Sequence, residues 1–219
     1  MTSKVNQWLA FLCCALFLFG CGDPEKISLE IDNPLDQALT VEIGPLTHTL
    51  KPNSSIQDSI TVGEHQLKVK KEDGTVLKEQ EVSIESEKGN ALLNVGGIQY
   101  VTEFLYYSIA GGSGGLEDYT FKYGEEEFPG VRAELLGAPA DLIHYGEWSY
   151  GISDTIPEYV SIYGDCAWVE KIWRVDDLLQ GLRFVQQERL REQKEMDDLI
   201  RGNTDEVLKE LDEFLKTWE

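Results

Sequence analysis

Few side chains here are of types that carry chemistry, and their spacing excludes most of the reactions they could perform. Histidine occurs at His48, His65 and His144. His144 and Cys166 could in principle make a thiol–imidazole pair, the ring taking the thiol proton. No local signature surrounds either residue, however, and no third, orienting group is indicated. His48 and His65 fall in or beside alternating stretches and read as surface positions. There is no Cys-x-x-Cys, no His-Glu-x-x-His and no EF-hand-type loop spacing. Glu125-Glu126-Glu127 and Asp197-Asp198 are acidic, but adjacent carboxylates point different ways, so they read as solvated faces. Gly111-Gly112-Ser113-Gly114-Gly115 lacks the Lys-Ser/Thr of a phosphate loop and runs into Glu117 and Asp118. It reads as a linker. The sequence therefore implies no metal and no cofactor. Carboxylates such as Glu147 and Asp154 are the remaining candidates for acid–base work of the kind a hydrolase needs.

Those carboxylates sit in an unusual stretch. Eleven of the 22 aromatic residues fall between Tyr119 and Trp173, with glycines and prolines interrupting them. Such side chains have two uses. A β body of this size needs large residues in its core, and exposed Tyr and Trp suit stacking on a glycan or a peptide. The stretch is expected to complete the β body or to pack on it, with long loops.

The start of the chain is more specific. Every residue from Trp8 to Phe19 is apolar, twelve in all. That is short of the roughly 20 needed to cross about 30 Å of hydrocarbon, and it suits the apolar region of a signal peptide. Gly20, Cys21 and the polar Gly22-Asp23-Pro24-Glu25-Lys26 follow. Leu18-Phe19-Gly20-Cys21 resembles the lipobox of bacterial lipoproteins, with the bulky Phe19 at the least restricted position. The resemblance implies cleavage before Cys21 and acylation of that residue. Two or more acyl chains make a durable anchor, whereas one holds only marginally. It also implies a cell-envelope location. Asp23 is not immediately after Cys21, which by resemblance to proteobacterial sorting argues for the outer membrane. The tether from Cys21 to Ile27 spans at most about 20 Å.

The chain carries 40 acidic and 19 basic residues; loss of residues 1–20 removes Lys4 alone, leaving 40 against 18 and a formal charge of −22. Such a surface repels nucleic acid and anionic head groups and favours cationic partners. Cys13 and Cys14 would leave with the signal peptide, so Cys166 would be the one thiol of the body, expected to be buried and inert.

From Ile27 to Glu85 the apolar period is two, which predicts about six short strands with frequent turn signals, each sheet solvated on one side. Ala91–Val95 and Ile98–Ser108 are further strands. Leu50-Lys51-Pro52-Asn53-Ser54-Ser55 followed by Val62-Gly63-Glu64-His65-Gln66-Leu67-Lys68-Val69 resembles PEGA-like and related immunoglobulin-like modules of bacterial envelope proteins. The resemblance implies a small antiparallel β-sandwich and carries no functional residues. Beyond it, Ile152–Pro157 reads as irregular, and Tyr159–Tyr163 and Ala167–Val175 as strands.

The tail is helical. Asp176-Asp177 suit a helix start, Leu178, Leu179, Leu182 and Val185 form an apolar face, and Gln186–Glu195 is polar apart from Leu190. Gly202 reads as a helix stop, with Val207, Leu211, Phe214 or Leu215, and Trp218 striping a second helix. The expected organisation is thus a signal peptide (1–20), a lipidated tether (21–26), a β-sandwich domain (27–108), an aromatic-rich β/loop region (109–175) and a helical hairpin (176–219). The fold class is mainly β. The functional expectation is a non-catalytic binding or adaptor protein of the envelope with a protein or glycan partner, against a hydrolase or sugar-processing enzyme using carboxylates of the aromatic-rich region.

Overall fold

A computed structural model describes residues 24–108, 115–157 and 166–216. Cys21, the signal region, Gly111–Gly114 and the expected strand Tyr159–Tyr163 lie outside the described residues.

Strands β1 (Lys26–Asn33), β2 (Leu39–Ile43), β3 (Leu46–Leu50), β4 (Ser54–Thr61), β5 (Gly63–Lys71), β6 (Val76–Ile84), β7 (Asn90–Asn94) and β12 (Ile143–Gly146) make two four-stranded sheets. Their orders are β12-β7-β1-β4 and β3-β2-β5-β6. Alternation explains them directly: in β2, Leu39, Val41 and Ile43 are buried while Thr40 and Glu42 between them are not. Leu29, Ile31, Ile60, Ala91 and Leu93 of the first sheet join Leu67, Val69, Val82 and Ile84 of the second in one apolar cluster. Each fully buried aliphatic contributes about 1.5–3 kcal/mol. The sheets are not wholly antiparallel as expected: β7 runs parallel to β1, Leu29 opposite Ala91 and Ile31 opposite Leu93.

A third sheet has the order β11-β8-β13, from β8 (Tyr100–Ser108), β11 (Ala133–Leu136) and β13 (Cys166–Arg174). It packs on the reverse face of the first sheet, where Leu92 meets Tyr100, Trp148 and Ile172. The expectation that each sheet is solvated on one side therefore fails for the first sheet. Glu30 and Asp32, on the face of β1 that alternation assigns to water, are buried. The hairpin β9 (Thr120–Tyr123) and β10 (Glu126–Pro129) turns at Gly124. It places Phe121 and Phe128 against Val101 and the start of the tail helix.

That helix, α1, runs unbroken over Val175–Lys216. The expected helical hairpin is not present: Gly202 is helical, and Asn203 and Thr204 continue the helix instead of capping a second one. One interior glycine costs about 1 kcal/mol against alanine, too little to stop a helix. Val175, Leu178 and Leu179 are buried, whereas Leu190, Met196, Leu199, Ile200, Val207 and Leu208 are all exposed. The first turns dock on the body, with Arg183 paired to Glu126, and the remainder projects from it.

Candidate functional site

Two polar constellations stand out, one sealed and one open. In the sealed one, Asp32 is fully buried and accepts from Arg174 Nε at 2.9 Å, from Arg174 Nη2 at 2.6 Å and from the Tyr100 hydroxyl at 2.7 Å. Burial, and then the charge of Asp32, pushes the Tyr100 phenol far up. Burial disfavours the Arg174 charge, but its bonds to Asp32 and the charge of Asp32 outweigh this and raise it. Nearby, Lys171 is buried with its Nζ donating to the carbonyls of Gly151 and Ile152. Burial lowers its pKa against the opposing charges of Asp154, Glu30 and Glu103. Glu30 is raised by burial, though Ser55 and the Ile152 N–H bond it. Asp32, Tyr100, Lys171 and Glu30 are all buried. They join the first and third sheets.

The open constellation arises from register. Phe104 pairs with Glu170 and Tyr106 with Trp168 across β8 and β13, so these four side chains share one face. Tyr100 and Arg174, further along the same face, lie against the first sheet. Toward the other end the same face reaches the surface at Trp168. Arg132, whose carbonyl accepts from the Phe104 N–H at 2.9 Å, lays its guanidinium over three rings. The centroids are 4.4 Å (Phe104), 4.9 Å (Trp168) and 5.0 Å (Tyr119) away. Tyr106 and Tyr119 also contact the Trp168 ring, at 5.1 and 6.5 Å. Tyr119 and Trp168 nonetheless keep 38% and 37% of their surface exposed, so the cluster is accessible.

Beside it is a cleft of about 270 Å³ lined by Gly89, Asn90, Glu147, Trp148, Ser149, Trp168 and Glu170. It lies where β7 begins and where the segment after β12 crosses to β13. The Ser149 and Tyr150 N–H groups both donate to the Glu170 carbonyl, at 2.9 and 3.1 Å. Asn90 Nδ2 donates to the Trp148 carbonyl at 2.9 Å. Gly89 has φ +82°, and a Cβ there would sit 2.8 Å from the Gly146 carbonyl oxygen, so this rim of the cleft requires glycine. Burial raises the Glu170 pKa first, and the charges of Glu147 and Glu134 add to it against Arg132.

The sequence candidates are distributed as follows. Glu147 lines the cleft, but Asp154 accepts from the Gly151 N–H at 2.6 Å and holds a turn instead. His144 is buried against Tyr100 and 3.3 Å from Asn94 Nδ2. Tyr100 pairs with Arg174 at one end of β13, and Cys166 opens the other end, about 26 Å away at 3.3 Å per residue. The thiol–imidazole pair is therefore not assembled. The Cys166 side chain itself lies outside the described set. His48 bonds Asp58 at 2.9 Å, and His65 bonds the Thr61 carbonyl at 2.7 Å. Among the described residues no three His, Cys, Asp or Glu side chains are grouped to hold a metal, and no helix is long and apolar enough to cross a membrane. Sequence reasoning missed Arg132 and Glu170. For Glu170 the signal available was Trp168-x-Glu170 and Phe104-x-Tyr106, two period-two pairs in the expected strands Ile98–Ser108 and Ala167–Val175; for Arg132 there was none. Comparison with family models, with curated proteins and with solved structures yields no match.

Proposed function

We propose that this protein is a lipid-anchored lipoprotein of the bacterial cell envelope that binds a partner without catalysis. Leu18-Phe19-Gly20-Cys21 supports acylation at Cys21, and Asp23, placed one residue beyond the next position, supports the outer membrane. The apolar cluster shared by the two four-stranded sheets supports the immunoglobulin-like sandwich reading. The observation that carries the binding function is the exposed Trp168–Tyr119 pair packed around Arg132, with Trp168 also lining a polar cleft. Aromatic and arginine side chains in such settings dominate recognition of protein and glycan surfaces.

The test is affinity isolation of the lipidated protein from gently solubilised envelopes, alongside Trp168→Ala. A component recovered reproducibly with the native chain and lost with the variant is the expected result. Identical recovery from both, or recovery of nothing, would overturn the reading.

One observation favours the enzyme as a second reading. Glu147 and Glu170 line the same cleft, and Glu170 holds its proton more tightly than an ordinary glutamate. Incubation with purified cell-wall glycan and measurement of new reducing ends separates the two. Release that disappears in Glu170→Gln supports the hydrolase; the binding reading expects none.

A further inference from the structure

The tail helix carries a second surface, on a different element from the aromatic cluster. We propose that the free part of α1 is a docking arm for a cationic amphipathic helix of a partner protein. That helix lays its apolar face along Met196, Ile200 and Val207, with its lysines and arginines toward the acidic residues beside them.

The apolar line continues the face by which the helix already docks. At 3.6 residues per turn, Met196 and Ile200 stand about five turns beyond Leu178 and Leu182, which pack on the body. Met196, Ile200, Asn203 and Val207 follow at helical spacings of 4, 3 and 4, and Leu199 and Leu208 widen the line on either side. Met196, Leu199, Ile200, Val207 and Leu208 are each more than half exposed. In the sequence the same spacing runs on to Leu211, Phe214 and Trp218. A helix in a protein draws most of its stability from packing such a face, and from Met196 to Leu208 this one is bare over about 18 Å. The line begins about 27 Å along the axis from Leu178, past the turns that the body covers.

Charge selects the occupant. Met196–Glu219 contains eight acidic against three basic residues, a formal −5. Asp197, Asp198 and Glu210 are exposed among them, with Arg201 and Lys209. A parallel second copy would bring two such segments side by side. An antiparallel copy would set the line against another acidic line or against Gln186–Glu195, which has three acidic and three basic residues and Leu190 as its only apolar one. That stretch offers neither countercharge nor an apolar line. The same acidity opposes an anionic membrane surface, since helices that lie on one carry lysine and arginine on the polar face. A partner helix with basic flanks covers the apolar line and neutralises its acids together, a mode of recognition open to amphipathic helices.

The full-length lipidated protein, held in nanodiscs of neutral lipid, is titrated with three labelled synthetic peptides by fluorescence anisotropy. One has leucines at the same 4-3-4 spacing with lysine and arginine flanks, one has the same leucines with glutamate flanks, and one is a scramble of the first that destroys the spacing. The basic amphipathic peptide is expected to bind at least about tenfold tighter than either control, to weaken with added salt and to slow amide hydrogen exchange over residues 196–208. Its binding should be lost in the double variant Ile200→Asp/Val207→Asp, although that change makes the chain more acidic. The peptide comparison is made on the native chain and does not depend on any variant folding. Equal binding of the scramble, equal binding of the glutamate-flanked peptide, or binding of none would overturn the assignment. So would exchange over residues 196–208 that slows without any peptide. Slowing as the protein concentration rises would give the face to a second copy, and slowing in discs of anionic lipid would give it to the membrane surface. Envelope capture that depends on Trp168 reads a different surface, so either assignment can fall without the other.

Discussion

Asp32 is the residue whose removal the fold should tolerate least. Its carboxylate is fully buried and satisfies both Arg174 and Tyr100. Asp32→Ala leaves the Arg174 charge without its partner, a loss expected to cost about 3–5 kcal/mol. Replacing the pair together, Asp32→Leu with Arg174→Met, should cost markedly less, and chemical denaturation of the three variants measures the difference. His144 gives a second residue-scale prediction. Burial holds its imidazole below the ordinary 6.5, against the charge of Asp141. The unfolded ring takes a proton that the folded ring refuses. Stability from this group is therefore complete above about pH 6.5 and falls as the pH drops through and below it. Glu30, Glu103 and Glu170, raised by burial, act with the opposite sign at lower pH, since their cost appears as they ionise. The diagnostic is thus the difference in melting temperature between the native chain and His144→Asn. It should narrow as the pH falls from 7.5 to 5.5; a constant difference would contradict the buried neutral ring.

At the scale of elements, Gly202 decides between one helix and two. In the unbroken helix its Cα faces open space, and nothing lies within 4 Å of an added Cβ. Gly202→Ala should stabilise α1 by about 1 kcal/mol, read as a rise in the far-ultraviolet melting midpoint; at the left-handed stop of a hairpin the same change would destabilise. The elements that were legible in the sequence are those whose period is long enough to see. β1 to β8 and β13 were readable because eight or nine residues, or several consecutive short runs, repeat the apolar–polar alternation. β9 to β12 were not, because each has four residues and Gly124, Pro129 and Gly137 break the pattern before it repeats. The buried charges were hidden for a different reason. Glu30 and Asp32 obey the alternation of a half-solvated strand, and only the third sheet, which no local pattern announces, covers them. Of the candidate site, the aromatic richness and Glu147 could be read directly. Arg132 and Glu170 acquire their roles from the β8–β11–β13 register. The structure divides the aromatic residues between core and surface: Phe121, Phe128 and Trp148 are buried, and Tyr119 and Trp168 are exposed.

For the molecule as a whole, the proposed anchor makes the plainest prediction: Cys21→Ala should abolish lipid labelling and release the protein from the membrane fraction, and retention of the variant would contradict acylation. The geometry beyond the anchor follows from the described chain. β1 begins at Lys26, within about 20 Å of Cys21. α1, at 42 residues and 1.5 Å per residue, is about 63 Å long and leaves the body through its first turns. Arg174, the residue immediately before α1, is the one that grips Asp32 of β1. Were the chain anchored at Cys21 as proposed, a tensile load on α1 would enter the body through its docked first turns and through Arg174, whose ion pair leads into β1. β1 meets that load in shear, held by β4 and β7 along its two edges, the direction in which a strand resists extraction by many hydrogen bonds at once. In a chain anchored and partnered as proposed, part of any force between membrane and partner would cross the short, sealed ion pair of Arg174 and Asp32.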